Sequence, residues 1–262
     1  MKQRYTNYAD YFFIFFPIIV FLILWHLFSI IINIPYFPGP MSVIKAILEI
    51  TLVGDVDKYT LIQHIYVSVG RVLLGFFIAA ITAIPLGLLL GIKPLIKDIL
   101  TPIIEPIRFI PPIAWIPLAI VLLVGITRYT FIIWIGAFFP ILLNTIAGVK
   151  RTSIILIQMA KSFGSSKNQI IYKIIIPSSL PEIMTGLRVG LGVGWMCIVA
   201  AEMIGGEPLG LGRLIIKYAG LLRLDVIIAG MITIGIIGLL MNYIMLIIEK
   251  RILKWRPEIT IT

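Results

Sequence analysis

The sequence predicts an all-α fold, a polytopic membrane helical bundle of about six spanning helices, and three observations carry that reading. Of 262 residues, 60% are apolar and only 13% charged, with a mean hydropathy of +1.09. A soluble domain averages about 25% charged residues and needs that polar surface to face water. The apolar residues fall in runs of roughly 20, the length that crosses a hydrocarbon core about 30 Å thick. Between the runs, Lys and Arg gather on one set of connections, as in a chain threaded through a bilayer.

The runs lie at 12–34, 68–92, 99–124, 129–149, 180–204 and 226–248. The first carries no small-residue cleavage pattern and runs up to Pro35, so it is expected to be a retained span rather than a signal peptide. The connection 35–67 opens with Pro35, Pro38 and Pro40; a helical pattern of Val43, Ile44, Ile47 and Leu48 follows and is expected along the outer surface. In the third run Pro112, Trp115 and Pro117 interrupt the helix. Broken helices are tolerated in membranes beside protein or a cavity, and in transporters they often mark the path. The fifth run carries Gly186, Gly190 and Gly194 at four-residue spacing, a stripe that admits a close helix neighbour. It is a candidate lining of a translocation path, with fixed packing inside one subunit as the alternative. Gly87 and Gly91 repeat the spacing in the second run, where packing is the expectation.

Lys2, Arg4, Lys93, Lys97, Lys150 and Arg188 are among the bases counted on one side, while the other carries fewer bases together with Asp55, Asp57 and Glu207. The first side is therefore cytoplasmic, with both termini inside and the protein multi-pass in the cell membrane. The net charge of +10 follows from this bias, and no basic stretch carries the interleaved aromatics of a nucleic-acid surface. One cysteine, Cys197, inside an apolar run, and two distant histidines, His26 and His64, offer neither a disulfide framework nor a metal site. Arg71 and Arg108 are the ionisable groups nearest the span interiors. Arg71 is close enough to the outer end to snorkel, and Arg108 follows Glu105 by three positions, the spacing of a same-helix pair. Contact with an anionic solute is the alternative for both, since charge inside a membrane is costly and faces protein, water or substrate. Glu202 is expected at the outer interface.

The inner connection 150–179 is the most informative stretch. Ile155, Leu156, Met159, Ala160 and Phe163 form one face of a short amphipathic helix, which Gly164 ends. Ser166 with Gln169 is a capping box for a second helix, faced by Ile170, Ile171, Ile174 and Ile175 and stopped at Pro177. Ser179 with Glu182 is a further capping box, expected to open the fifth span. Each loop helix is too short to span, so the loop either lies on the membrane or docks a soluble partner.

These residues resemble a known signature. Gln158-Met159-Ala160, Gly164, Ile174 and Ile176-Pro177 are similar to the Glu-Ala-Ala, three residues, Gly, nine residues, Ile, one residue, Leu-Pro pattern of binding-protein-dependent ABC importer permeases. The spacing is intact, with Gln158, Met159 and Ile176 standing where the pattern has Glu, Ala and Leu. Glu105-Pro106-Ile107-Arg108, Pro111-Pro112-Ile113-Ala114-Trp115, Thr185-Gly186-Leu187-Arg188, Ala201-Glu202-Met203 and Trp255-Arg256-Pro257 resemble the nitrate/sulfonate/bicarbonate (taurine) branch. The resemblance implies a type I, methionine-permease-like importer fold and a homodimer with a second permease copy. It also implies two ATP-binding subunits docking on the 150–179 loop and an extracytoplasmic solute-binding protein. ATP and Mg would belong to the partner, because this chain has no Gly-rich loop ending in Gly-Lys-Ser/Thr, and no cofactor or catalytic constellation is expected in it. An ion-coupled secondary transporter would need buried coupling residues, and a membrane-embedded enzyme a polar reactive cluster; neither is visible. The expected segments are 1–34 (tail and first span), 35–67 (outer connection), 68–250 (permease core) and 251–262 (cytoplasmic tail).

Overall fold

The computed structural model describes residues 8–32 and 37–255, and among them every regular element is helical. Lys2, Arg4, Pro35, Arg256 and Pro257 lie outside the described residues. Helix α1 (Tyr8–Ile32) continues through Pro17 and stands apart from the bundle, its exposed face including Phe21, Leu24 and Ile31. Trp25 Nε1 donates to Pro38 O at 3.2 Å and ties it to the following segment. Helix α2 (Pro40–Leu52) buries Val43, Ala46 and Ile50 and packs on the last helix of the chain. Ile44 and Leu48 are exposed, so its inward face is rotated from the one the pattern suggested.

The second span starts earlier than residue 68. Thr60 accepts from Gln63 N while Gln63 Oε1 accepts from Thr60 N, and this capping box opens α3 (Leu61–Ile92). Polar Gln63, His64 and Ser68 had hidden that first turn from a hydropathy reading. The proline-dense third run is broken as expected: α4 (Pro94–Arg108) and α5 (Ile116–Leu122) are bent by 84°, with a 3₁₀ turn at Pro112–Trp115 between them. Helix α6 (Ile126–Lys150) then crosses the bundle, followed by α7 (Ile154–Ser162) and the single turn α8 (Lys167–Ile170).

Here the structure corrects the sequence reading. Pro177 does not stop a helix, and Ser179 does not cap a new one. Lys167–Ile204 is one helical path, because Ile171–Ile175 winds as a π turn before α9 (Ile176–Ile204). A proline ring lacks the N–H and clashes with the carbonyl four residues back; the widened turn displaces that carbonyl and lets the helix continue. Ser179 Oγ accordingly donates to Ile176 O at 2.8 Å, and Glu182 pairs with Arg151. After α9 the connection holds α10 (Leu211–Gly220), which hydropathy had not marked, and α11 (Leu224–Ile252) ends the described chain's helices.

Four helices are long and apolar enough to cross a membrane: α3, α6, the path ending in α9, and α11. The bent pair α4–α5 makes a fifth, and the apolar stretch Phe15–Ile31 of α1 corresponds to the first expected run. Helix α6 is the centre, with small residues on its neighbours letting it approach. A Cβ at Gly75 would collide with Ile133, at Gly87 with Thr145, and at Gly91 with Val149, all on the α3 side. On the other side Gly186 meets Asn144, Gly190 meets Ile141, and Gly194 meets Ile133. In the absence of a hydrophobic drive between helices in lipid, such close backbone approach supplies the packing.

Candidate functional site

The 150–179 connection carries a short helix held out from the bundle. Helix α7 exposes Ile155, Leu156, Met159 and Phe163, while Ala160 is half-buried. It ends as predicted at Gly164, whose φ of +76° admits glycine readily and strains any L side chain. Gly164 N donates to Lys161 O at 2.9 Å and Ser165 N to Ala160 O at 3.0 Å, bonds that close the helix end. Ser166 and Gln169 then form the expected capping box. Arg151 pairs with Glu182 and fastens the start of the loop to α9. Leu156, Lys173, Ile174, Pro177 and Trp255 border a cavity of about 460 Å³, so the two arms of the loop and the end of the described chain share one concave surface. Gln158 is exposed, and Lys161, Lys167 and Lys173 give the surface a positive rim. The arrangement is an apolar patch with a basic border.

The opposite end of the bundle has a different character. Glu202 is 1% exposed, where the sequence had placed it at an interface. It accepts from Ser68 Oγ at 2.8 and 2.9 Å, from Arg71 Nη1 at 2.9 Å and from Gly212 N at 3.1 Å. Arg71 therefore does not snorkel. Its guanidinium also donates to Leu209 O at 2.8 Å and lies 4.1 Å from the centre of the Tyr129 ring. The physical reason is the α9–α10 connection, which folds back over the helix ends and, with Glu202, supplies the acceptors that Arg71 would otherwise have sought in water. That fold-back depends on Gly210: at φ +140° it places its backbone against both Glu202 and His64, and a Cβ there would collide with the Glu202 carboxylate. His64 Nδ1 lies 2.9 Å from Gly210 O and 3.1 Å from Gly210 N, while its Nε2 lies 3.5 Å from Asp55.

Asp55 extends this network to α10. Its Oδ1 accepts from Asp57 N and Tyr59 N at 2.9 Å, and its Oδ2 from Lys217 Nζ at 2.8 Å. Burial pushes the Asp55 carboxyl up, but Lys217, the Tyr59 N–H and His64 more than offset that and hold it below its ordinary value. Burial likewise lowers Lys217, and Asp55 and Asp57 reverse it, leaving the ammonium above its ordinary value.

The remaining sequence candidates are dispersed. Arg108 pairs with Glu105 at 2.7 Å on α4 and stacks 4.8 Å from the Phe109 ring, at the elbow where the third run bends. Gly186, Gly190 and Gly194 all face α6 of the same chain. Arg188, counted with the inner-side charges, lies within α9 rather than in a connection. Ser68, Gly210, Gly212 and Lys217 were not singled out by the sequence, because no local spacing joins residues as far apart as Ser68 and Glu202.

The chain matches the family described as binding-protein-dependent transport system inner membrane component over residues 83–255. It is 42% identical over 236 residues to a putative ABC transporter permease protein of Methanocaldococcus jannaschii, covering 90% of this chain and 88% of the relative. It is 36% identical to the taurine transport system permease protein of Escherichia coli, covering 86% and 82% of the two chains. With the nitrate import permease protein of Synechocystis sp. the identity is 35%, over 81% and 79%.

Proposed function

We propose, from the premise that this chain belongs to the binding-protein-dependent transport system inner membrane components and is a permease subunit of an ABC importer, that α7, Gly164 and the start of the α9 path form its coupling surface. A transport subunit of this family leaves ATP hydrolysis to a separate subunit. In this reading the ATP-binding subunit seats its surface on Leu156, Met159 and Phe163, with Gln158, Met159, Ala160 and Gly164 fixing the first arm and Ile174 and Pro177 the second. Because Lys167–Ile204 is one helical path, a push on the loop becomes a displacement of α9, and the close glycine contacts carry it to α6. The observation that carries the proposal is the exposed apolar face of α7, held away from its own bundle by a glycine turn.

Two copies of the chain, two ATP-binding subunits and an extracytoplasmic solute-binding protein complete the assembly, with the loop and both termini cytoplasmic. The solute is a small anion or zwitterion carrying an oxyanion group, the chemistry shared by taurine, nitrate and bicarbonate, which name the substrates of relatives. The broken α4–α5 segment, with Arg108 at its elbow, borders the path.

Gly164→Val tests the coupling surface. A Cβ at Gly164 meets no atom within 4 Å, so the substitution costs only backbone strain, roughly 1–2 kcal/mol, and leaves the spans folded. In vesicles holding the full importer, we expect normal membrane levels, weakened ATPase association or uncoupled hydrolysis, and lost uptake. Wild-type coupling in Gly164→Val would remove the loop as the transmission element.

A further inference from the structure

The cavity between α9 and α11 holds polar groups that neither the outer network nor the coupling loop uses. It has a volume of about 50 Å³ and is bordered by Arg188, Gly192, Trp195, Gly238 and Asn242, with Leu191 and Met241 as apolar walls. Asn242 stands on α11 roughly 15 Å of helical rise before the helix ends, well inside a hydrocarbon core about 30 Å thick. It is nevertheless exposed on this chain, and among the described residues its side chain has no hydrogen-bond partner. Arg188 is in a similar position: its side chain is 34% exposed and its one polar neighbour is Glu249, at 3.5 Å, with Glu249 Oε2 left without a hydrogen bond. An unpaired amide at this depth, with a loosely paired guanidinium bordering the same cavity, is too costly to face lipid; it faces protein, water or a solute.

We propose that Arg188 and Asn242 form an anion-binding step in the translocation path, taking the oxyanion group of the transported solute. This rests on the anionic-solute reading above and assigns residues to it. A guanidinium presents a planar pair of N–H donors that fits a carboxylate, sulfonate or nitrate edge, and the Asn242 amide supplies a further donor from the facing helix. Gly192 keeps the space open, since a Cβ there meets no atom within 4 Å. Trp195 Nε1 is held by Ile234 O at 3.2 Å, so the indole is a fixed wall and does not compete for the anion. Glu249 gives the site its weakness. Its carboxylate sits beside Arg188 without a hydrogen bond, so an arriving anion gains the free donors but feels a like charge nearby. A path needs binding favourable enough to admit the solute and weak enough to release it.

The test uses the assembled importer, with its ATP-binding subunits and solute-binding protein, in vesicles offered labelled taurine, nitrate or bicarbonate. Wild type should take up at least one. Arg188→Gln should lower maximal uptake about tenfold or more, roughly the 1.4 kcal/mol of one charge-assisted contact. The external solute concentration for half-maximal uptake should stay unchanged, because the binding protein sets it, and assembly and ATP turnover should stay near wild type. Asn242→Leu, which removes a donor without disturbing any ion pair, should lower uptake several-fold in the same pattern and serves if Arg188→Gln fails to fold. Unchanged maximal uptake in Asn242→Leu overturns the site. So does loss of uptake accompanied by dissociation of the complex, which would mean that the face joins two copies. Refusal of all three anions by wild type would remove the anion assignment. A failed coupling loop is distinguishable, since it shows as intact uptake in Gly164→Val and leaves these outcomes untouched.

Discussion

The two ends of this permease solve opposite problems with the same kinds of residue. At one end Ser68, Arg71 and Gly212 bond to Glu202 across three helices, and Glu202 is almost fully enclosed. At the other end α7 buries no residue and keeps Met159 and Phe163 exposed, fastened chiefly by Arg151–Glu182 and the bonds around Gly164. The first network is bonded within one chain, whereas the apolar face of α7 is left uncovered by its own bundle. The Glu202 end is thus satisfied within the chain, and in the proposed reading the α7 end is the one completed by a partner.

Substitutions that act on stability at one end and on association at the other sharpen this contrast. The largest effect is expected from Glu202→Leu, which takes the carboxylate partner from the mostly buried Arg71 guanidinium. Breaking such a buried pair from one side costs about 3–5 kcal/mol. Denaturant or thermal unfolding in detergent should show it, and Arg71→Leu combined with Glu202→Leu should recover part of the loss. A double variant whose loss equals the sum of the two single losses would mean that the pair is not coupled.

A smaller effect is expected on acidification. The Asp55 carboxyl sits below its ordinary value in the folded protein, so its contribution is fully present above the unfolded value of about 3.9 and is lost as pH falls through the folded value. Thermal midpoints of the purified protein should therefore drop more steeply below about pH 4 in wild type than in Asp55→Asn, which has already lost about 1–3 kcal/mol. Parallel pH profiles in the two proteins would detach Asp55 from the outer network.

The smallest change in stability belongs to Met159→Ser with Phe163→Ser, within about 0.5 kcal/mol because both side chains are exposed. Co-purification with the ATP-binding subunit should nonetheless fall several-fold. If unfolding midpoints drop while association holds, α7 packs on its own bundle and the contrast between the two ends collapses.

Much of this was legible without coordinates. Apolar run length and the prolines at 102–117 determined the helical membrane class and the break in the third run, because each is a local consequence of bilayer thickness or of a missing N–H. The turn at Gly164 and the Ser166–Gln169 box were readable for the same reason, as chemistry confined to a few neighbouring residues. Pro177 marks where local reading ended: a proline predicts a stop, and whether the preceding turn widens instead depends on what holds both ends of the path. The pairing of Arg71 with Glu202, 131 positions apart, and the fold-back at Gly210 were decided by tertiary structure alone. A sequence spacing specifies which residues share a helix face. Which face meets which is set by packing between helices, and it was packing that turned two charges expected at an interface into a buried, mutually satisfied pair.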